Sequence, residues 1–452
     1  MWSILSVAAA LFVAAVSAVS TSGNRLLVVL DDVAEKEAYG QFLGDLTARG
    51  FQVSYETPRS EGLTLFHLGE RTYDHLLFLP SKVKGLGPNL TPNRLVDFVN
   101  ANGNILVALS STVPASTSLV SLLSELDISL PVERTGTVVD HFNYDTISAA
   151  ESHDVLVLDA PSNIRPGLKP YFELHGGVLA FPHAVGHVLG SGPLLTPLVR
   201  APATAYSYNP KEQAEVLDAD ELFAAGQQLA LVSVLQARNS ARVTVLGSAE
   251  MLQDKWLDAK VAKPGGKSTK TQNKEFARRV AGWTFQEIGV LRVNSVEHRL
   301  QGSEELNPGI YRVKNDVSYT ISLSEYVWDK WVPFVLPADD LLQLEFSMLS
   351  PFHRLNLELT GATDDAAIYG VSFTLPDQHG IFNFMVNYKR SFLTNVEEKN
   401  TVSVRHFAHD EWPRSFVISG AWPWISGIGA TVTGFVGFCA IWMYSKPAGK
   451  KN

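Results

Sequence analysis

The chain runs to 452 residues, too long for one ordinary domain, and 46% hydrophobic against 18% charged residues is ample material for a large core. A formal net charge of −9 excludes the usual profile of a nucleic-acid binder, which clusters Lys and Arg on one face.

Residues 1–20, MWSILSVAAALFVAAVSAVS, form an apolar run closing on the small residues Val16, Ser17 and Ala18, and read as a signal peptide. The run starts without Lys or Arg, so only the α-amino group supplies the usual positive charge. A retained anchor is the alternative, and the shortness and alanine content of the run favour cleavage. RLLVVLDD, residues 25–32, then reads as a buried strand. EKEAYGQFLGDLTARG follows as a helix with Ala38, Phe42 and Leu46 on one side and Gly50 closing it. FQVSYETP and HLLFLP are further strands. Asn89-Leu90-Thr91 is a glycosylation sequon whose use is disfavoured by Pro92. TPNRLVDFVNANG predicts a helix with Thr91 as N-cap and Pro92 in its first turn. NILVALSS is the next strand and SLVSLLSELDI the next helix.

This alternation implies a parallel sheet with helices on both faces. HDVLVLD, GGVLAFP, LALVSVLQA and ARVTVLGS continue the apolar runs to about residue 250. The basic stretch Lys260–Lys274 reads as a solvated loop, and EFARRVAGWTFQEIG as a closing helix with Phe276, Val280, Trp283 and Ile288 inward. Residues 24–288 are therefore expected to form an α/β domain. From Gly289 apolar and polar residues alternate at period two between turns rich in Pro, Asp and Gly. That pattern predicts an antiparallel β domain over 289–415, a small sandwich in architecture, with Thr394–Asn400 at a hairpin tip.

Residues 421–444 carry no charge, and at about 1.5 Å per residue they cross a hydrocarbon core of about 30 Å. Trp412, Trp422 and Trp424 flank this stretch on one side, Trp442 and Tyr444 on the other, as interfacial aromatic belts do. Lys446, Lys450 and Lys451 follow, which puts the tail, residues 445–452, in the cytosol and makes the chain a single-pass type I membrane protein. Gly427, Ala430, Gly434 and Gly437 recur every three or four residues and predict a face on which a second helix packs closely. The single cysteine, Cys439, lies within the span, so no disulfide braces the rest; this fits residence in the endoplasmic reticulum better than the cell surface. Lys450-Lys451 stands one residue away from the register of a dilysine retrieval signal.

No set of residues adds up to a reaction. Gly247-Ser248 ends a predicted strand, yet Leu246 and Glu250 stand where a nucleophile elbow needs glycine, so Ser248 is expected to cap the following turn. A thiol nucleophile is excluded before the span. His183 and His187 have zinc spacing, but Pro182 and Gly186 oppose a helix and Ala184 replaces the glutamate of such motifs, which leaves two loop histidines. Asp31-Asp32 closes the first strand at the ligand-binding edge of an α/β sheet, but neighbours on a strand point to opposite faces and do not share a metal easily. Asp339-Asp340 and Asp364-Asp365 are turn residues, and the glycines of GHVLGSGPLL complete no phosphate-binding fingerprint. No catalytic residue, metal or cofactor is predicted.

QARNSARVTVLGSAEMLQD and EFARRVAGWTFQEIGVLRV closely resemble the DDOST/Wbp family of oligosaccharyltransferase subunits. So do GGVLAFPHAVGHVLGSGPLLTPLVRAPATAYSYNP, DKWVPFVLPADDLLQLEFSMLSPFHRLNLE and YGVSFTLPDQHGIFNFMVNYKR, and the resemblance spans essentially the whole chain after the signal. It implies a flavodoxin-like lumenal domain, a β domain and one membrane helix in the endoplasmic reticulum. It further implies a non-catalytic scaffold in the complex that moves a preassembled oligosaccharide from dolichyl diphosphate to Asn of Asn-x-Ser/Thr. The implied partners are the catalytic STT-type subunit, which carries the metal, and ribophorin-type and DAD-type subunits. Two other readings stand beside it: an autonomous lumenal glycan hydrolase or transferase using Asp31, Ser248 or His183, and a glycan-binding ectodomain using Trp328 and Trp331.

Overall fold

The computed structural model describes residues 20–60, 62–161, 166–174, 176–209, 222–412, 420–446 and 449. The expected signal peptide before Ser20 and the Lys450-Lys451 pair lie outside them.

The first half is a mixed α/β region. Its main sheet contains β1 (Arg25–Val29), β2 (Gln52–Glu56), β3 (His75–Phe78), β4 (Asn104–Ala108), β5 (Ile128–Ser129), β8 (His187–Leu189), β9 (Leu195–Arg200), β10 (Leu229–Gln236) and β11 (Arg242–Leu246). Between β5 and β8 the chain forms a separate two-stranded antiparallel ladder, β6 (Val155–Asp159) with β7 (Val178–Pro182). The main order is β2–β1–β3–β4–β11–β10–β8–β5, with β9 on the free side of β10. Only the run from β2 to β11 is parallel; β10, β8, β5 and β9 pair antiparallel. The expected wholly parallel sheet is thus corrected to a mixed one. The reason is local: the five residues between β10 and β11 allow only a hairpin, since a parallel return needs a crossover of a dozen residues or more.

Alternation along the strands divides the sheet between two layers. Leu27, Val29, Leu76, Phe78, Ile105 and Val107 face α2 (Pro92–Asn100) and α3 (Thr117–Glu125). Leu26, Val28, Leu77 and Leu106 face α1 (Gly40–Ala48) and α4 (Asn273–Thr284). Helix α2 starts as its sequence predicts, with Pro92 first and the Thr91 hydroxyl accepting from Arg94 N. Two local expectations change. Ile288 leaves α4 and opens a strand, and the basic stretch Lys260–Lys274 is a hairpin, in which Lys260-Val261 pairs Thr269-Lys270, running into the first turn of α4.

The second half is strand-rich. One sheet runs β12 (Ile288–Leu300), β14 (Asp316–Val327), β19 (Ala367–Thr374), β18 (Glu358–Ala362), with β15 (Lys330–Pro333) on β14. The other runs β13 (Ile310–Arg312), β21 (Val396–Arg405), β20 (Gly380–Tyr388), β16 (Gln343–Ser347), β17 (Pro351–Asn356). Their facing residues meet in an aromatic core: the Tyr319 and Phe384 rings stack at 5.5 Å, and Phe373 meets Phe346 edge-on at 5.6 Å. This core is continuous with the α1/α4 layer of the first half. Thr394–Asn400 is not a hairpin tip. Val396–Asn400 belongs to β21, where Glu397 and Lys399 alternate outward against the buried Val396 and Val402. A single helix, α5 (Trp422–Tyr444), follows, with no residue buried.

Candidate functional site

The carboxyl edge of the parallel strands holds a cavity of about 300 Å³ lined by Asp31, Glu35, Tyr39, Lys82, Ser110 and Glu250, among others. Asp31 lies just beyond β1, and its carboxylate accepts from Ser81 Oγ at 2.5 Å and Lys82 N at 2.8 Å. Asp32 turns elsewhere and accepts from Ala34 N at the start of a short 3₁₀ turn, so the pair divides as adjacent strand-end residues should. Burial, with the Asp31 charge behind it, raises the Glu35 carboxyl above its ordinary value. Beside the cavity His183 sits in a left-handed conformation (φ 45°), its Nδ1 2.9 Å from Glu250 and its Nε2 3.5 Å from Asp154. The Glu250 hydrogen bond raises its pKa and outweighs burial, which acts the other way.

His187, by contrast, begins β8. It is fully buried, meets Ser233 Oγ at 2.8 Å through Nε2, and burial pushes it down to about 4. The two histidines therefore serve different layers, and only His183 is a loop histidine. No group of three or more His, Cys, Asp or Glu suited to a metal occurs among the described residues.

Ser248 does not cap the next turn. Its hydroxyl is fully buried and donates to Pro182 O at 2.5 Å, which ties β11 to the end of β7. The preceding glycine has a steric cause: a Cβ at Gly247 would stand 2.5 Å from Val185 O and 2.8 Å from Leu231 O. The Trp rings considered for glycan contact already carry cations. The Arg278 and Arg49 guanidinium groups lie 4.5 and 5.9 Å from the Trp328 ring centre, and Arg292 lies over Trp331 at 3.9 Å. Asn89 is half-buried in a short 3₁₀ turn, one residue before the Leu90 side chain that is buried in the α2/α3 layer.

The densest polar construction is at QARNSARV, residues 236–243, whose mechanical part periodicity does not reveal. Gln236 Nε2 donates to Leu393 O at 2.5 Å across the sequence. Arg238 O accepts from Asn395 Nδ2 at 2.8 Å, and Ser240 Oγ accepts from Asn395 N at 2.9 Å. Asn239 Nδ2 reaches Val99 O and Asn100 O at the end of α2, filling helix-terminal acceptors. Arg242 is entirely buried and donates to Trp283 O at 2.6 Å, Ile288 O at 2.7 Å and Gly289 O at 2.5 Å, stacked 4.6 Å over the Trp283 ring. Burial lowers the guanidinium to about 9, so it remains charged at neutral pH. Trp283 Nε1 donates to Phe392 O at 3.1 Å, completing the grip on the Lys389–Asn395 loop that joins β20 to β21. Gly289, at φ 68°, is needed here, because a Cβ would meet Phe392 O at 3.0 Å and the Tyr171 ring at 3.2 Å. The string is a clamp that fastens the strand-rich half to the α/β half.

Helix α5 has 23 residues, about 34 Å long at 1.5 Å per residue. Gly427, Ala430, Gly434 and Gly437 fall within about 80° of one another around its axis at 3.6 residues per turn. Thr431 Oγ1 donates back to Gly427 O at 2.9 Å, so that hydroxyl is satisfied within the helix.

Comparison with known proteins gives two matching family models, the OST48 N-terminal domain over residues 17–287 and the OST48 middle domain over residues 297–446. The dolichyl-diphosphooligosaccharide–protein glycosyltransferase subunit wbp1 of Schizosaccharomyces pombe is 36% identical, covering 91% of this chain and 90% of its own. The 48 kDa subunits of the same name from Danio rerio and Caenorhabditis elegans are each 32% identical, covering 95% and 96% of this chain and 93% and 95% of theirs. Among solved structures, the mmIFT52 N-terminal domain matches 57% of this chain and 96% of its own at 14% identity and a TM-score of 0.40.

Proposed function

The chain belongs to the OST48 family, and on that premise we propose that it is a non-catalytic, structural subunit of the endoplasmic-reticulum oligosaccharyltransferase. That complex carries out protein N-glycosylation by moving an oligosaccharide from dolichyl diphosphate to Asn of Asn-x-Ser/Thr. The observation that carries this reading is similarity along almost the full length of relatives named as subunits of that transferase, with both halves and α5 included. The site chemistry supports the non-catalytic part. The Ser248 hydroxyl is spent on Pro182 O, His183 is held between two carboxylates, and the most elaborate polar network joins two halves of one chain.

In this reading residues 24–288 form a flavodoxin-like lumenal domain, supported by the parallel run β2–β1–β3–β4–β11 with helices on both faces. Residues 289–415 form a sandwich-like β domain, supported by the facing aromatic sheets. Residues 421–444 cross the membrane with the tail, 445–452, in the cytosol, after removal of a signal peptide over 1–20. The small-residue face of α5 packs against a helix of the STT-type, ribophorin-type or DAD-type neighbours. Affinity purification of the tagged full-length chain in mild detergent, with an Asn-x-Thr peptide transfer assay on the eluate, tests the proposal. Transfer activity is expected to accompany a large polytopic subunit. Transfer by the purified chain alone, abolished by Ser248→Ala or Asp31→Ala, would overturn the non-catalytic part, and a solitary inactive protein would overturn the whole.

A further inference from the structure

The outer face of the sheet β13–β21–β20–β16–β17 changes character along its strands. At the end where β21 leaves the sheet, Ile310 and Ile381 flank Ser403 from either side, exposed by 65% and 63%. The β16–β17 hairpin tip closes the same end: a Cβ at Gly380 would touch Met348 Sδ, and Leu349 beside it is 98% exposed. Phe352, on the other arm of that hairpin, meets the Phe382 ring at 5.3 Å and remains partly exposed. Away from this end Asn383 pairs with Thr401 and Asn387 with Glu397, while Met385 stands half-buried opposite Lys399. The exposed large apolar side chains of these strands and the hairpin tip, Ile310, Leu349, Phe352 and Ile381, therefore gather at one rim.

That rim lies where the chain heads for α5. Beyond β21 the chain turns compactly, Arg405 holding Glu411 through two hydrogen bonds of 2.6 and 2.7 Å and Phe407 lying 5.1 Å from Trp412 under Arg312. From Trp412, itself 57% exposed, to Trp422 at the head of α5 the chain reaches about 35 Å at full extension. The apolar rim thus lies at the end of the sheet from which the chain leaves for α5, and the polar end of the same face lies opposite. Aliphatic and aromatic side chains projecting singly from a polar surround suit the boundary between headgroups and acyl chains.

We propose that the rim formed by Ile310, Leu349, Phe352 and Ile381 rests in the headgroup layer of the bilayer that α5 crosses, so that the strand-rich half stands on the membrane with the β16–β17 tip inserted. The proposal rests on α5 being a membrane span. The test uses the full chain with Cys439→Ser, reconstituted in phosphatidylcholine nanodiscs and carrying a fluorescent dye at Leu349→Cys or, on the far end of the face, at Lys399→Cys. Lipids bearing a quencher at headgroup depth are then added, and the native Cys439, labelled in the otherwise unaltered chain and read with an acyl-chain quencher, reports on the span. Loss of emission at 349 and at 439, with none at 399, is expected. Quenching at 439 with none at 349 would overturn the rim proposal while leaving the span, and would hand the rim to a protein neighbour or a second copy. Equal quenching at 349 and 399 would overturn the orientation, and no quenching at 439 would overturn the span and the rim together.

Discussion

The clamp around Arg242 and the helix α5 treat their neighbours in opposite ways. At the clamp, a buried cation meets three carbonyls at 2.5–2.7 Å, one supplied by α4 and two by the start of β12, and the loop gripped beside it lies about 150 positions further along the chain. Helix α5 buries none of its residues against the rest of the described protein. A buried charge is tolerable only when its partners are already in place, so the clamp is complete within one chain. An apolar helix with a small-residue face is complete only with lipid and another helix around it. One part organises the molecule, and the other ties it to something else.

Substitution at the clamp should produce the largest effect. Arg242→Met strands three buried carbonyls and is expected to destabilise the protein by about 3–5 kcal/mol. Arg242→Lys should recover only part, because an ammonium lacks the planar fork that serves several acceptors at once. Denaturant unfolding of the full chain in detergent measures both, and a loss under about 1 kcal/mol for the methionine variant would mean the halves are held by apolar packing alone. Gly434→Leu should act in the opposite sense, leaving unfolding unchanged while weakening helix association by roughly 1–2 kcal/mol, or about tenfold. Undiminished co-purification of the transferase with that variant would remove the packing face from consideration.

Smaller changes sharpen the contrast. Asn395→Ala deletes one donor to Arg238 O and should cost about 1 kcal/mol, with subunit association unaffected. A drop in co-purification without a drop in stability would show that the loop is read by a partner rather than by the clamp. The smallest effect belongs to His183. Its folded pKa is raised above the ordinary 6.5, so the pairing contributes fully below that value and is lost as pH rises through the folded one. The group is half-exposed, which limits the contribution to less than about 1 kcal/mol. Melting temperatures should therefore fall on going above pH 6.5 in the native chain and fall less in His183→Gln; identical profiles would assign the slope to other groups.

Local chemistry made several elements legible. Thr91-Pro92 announces α2 because cap and proline act within one turn, and the uncharged stretch before Lys446 announces α5 because a span needs only length and apolarity. The β strands were legible from apolar runs in the first half and from period-two alternation in the second, but their partners were not. Nothing in HDVLVLD or GGVLAFP says that they pair with each other outside the main sheet, since an apolar run is equally content in either ladder. Ser248 illustrates the same limit, because a hydroxyl beside a glycine looks like a cap until Pro182 O is seen above it.

By itself the sequence determined the α/β half, the strand-rich half, the apolar helix and the family to which the whole belongs, because periodicity, composition and long matching strings are properties of the chain alone. Tertiary structure decided what those strings are for. QARNSARV is recognisable as letters, yet its work depends on Leu393, Asn395 and Gly289 arriving at the same place. Hydrogen-bond partners so distant in sequence are chosen by how the sheets pack, and no local pattern records that choice.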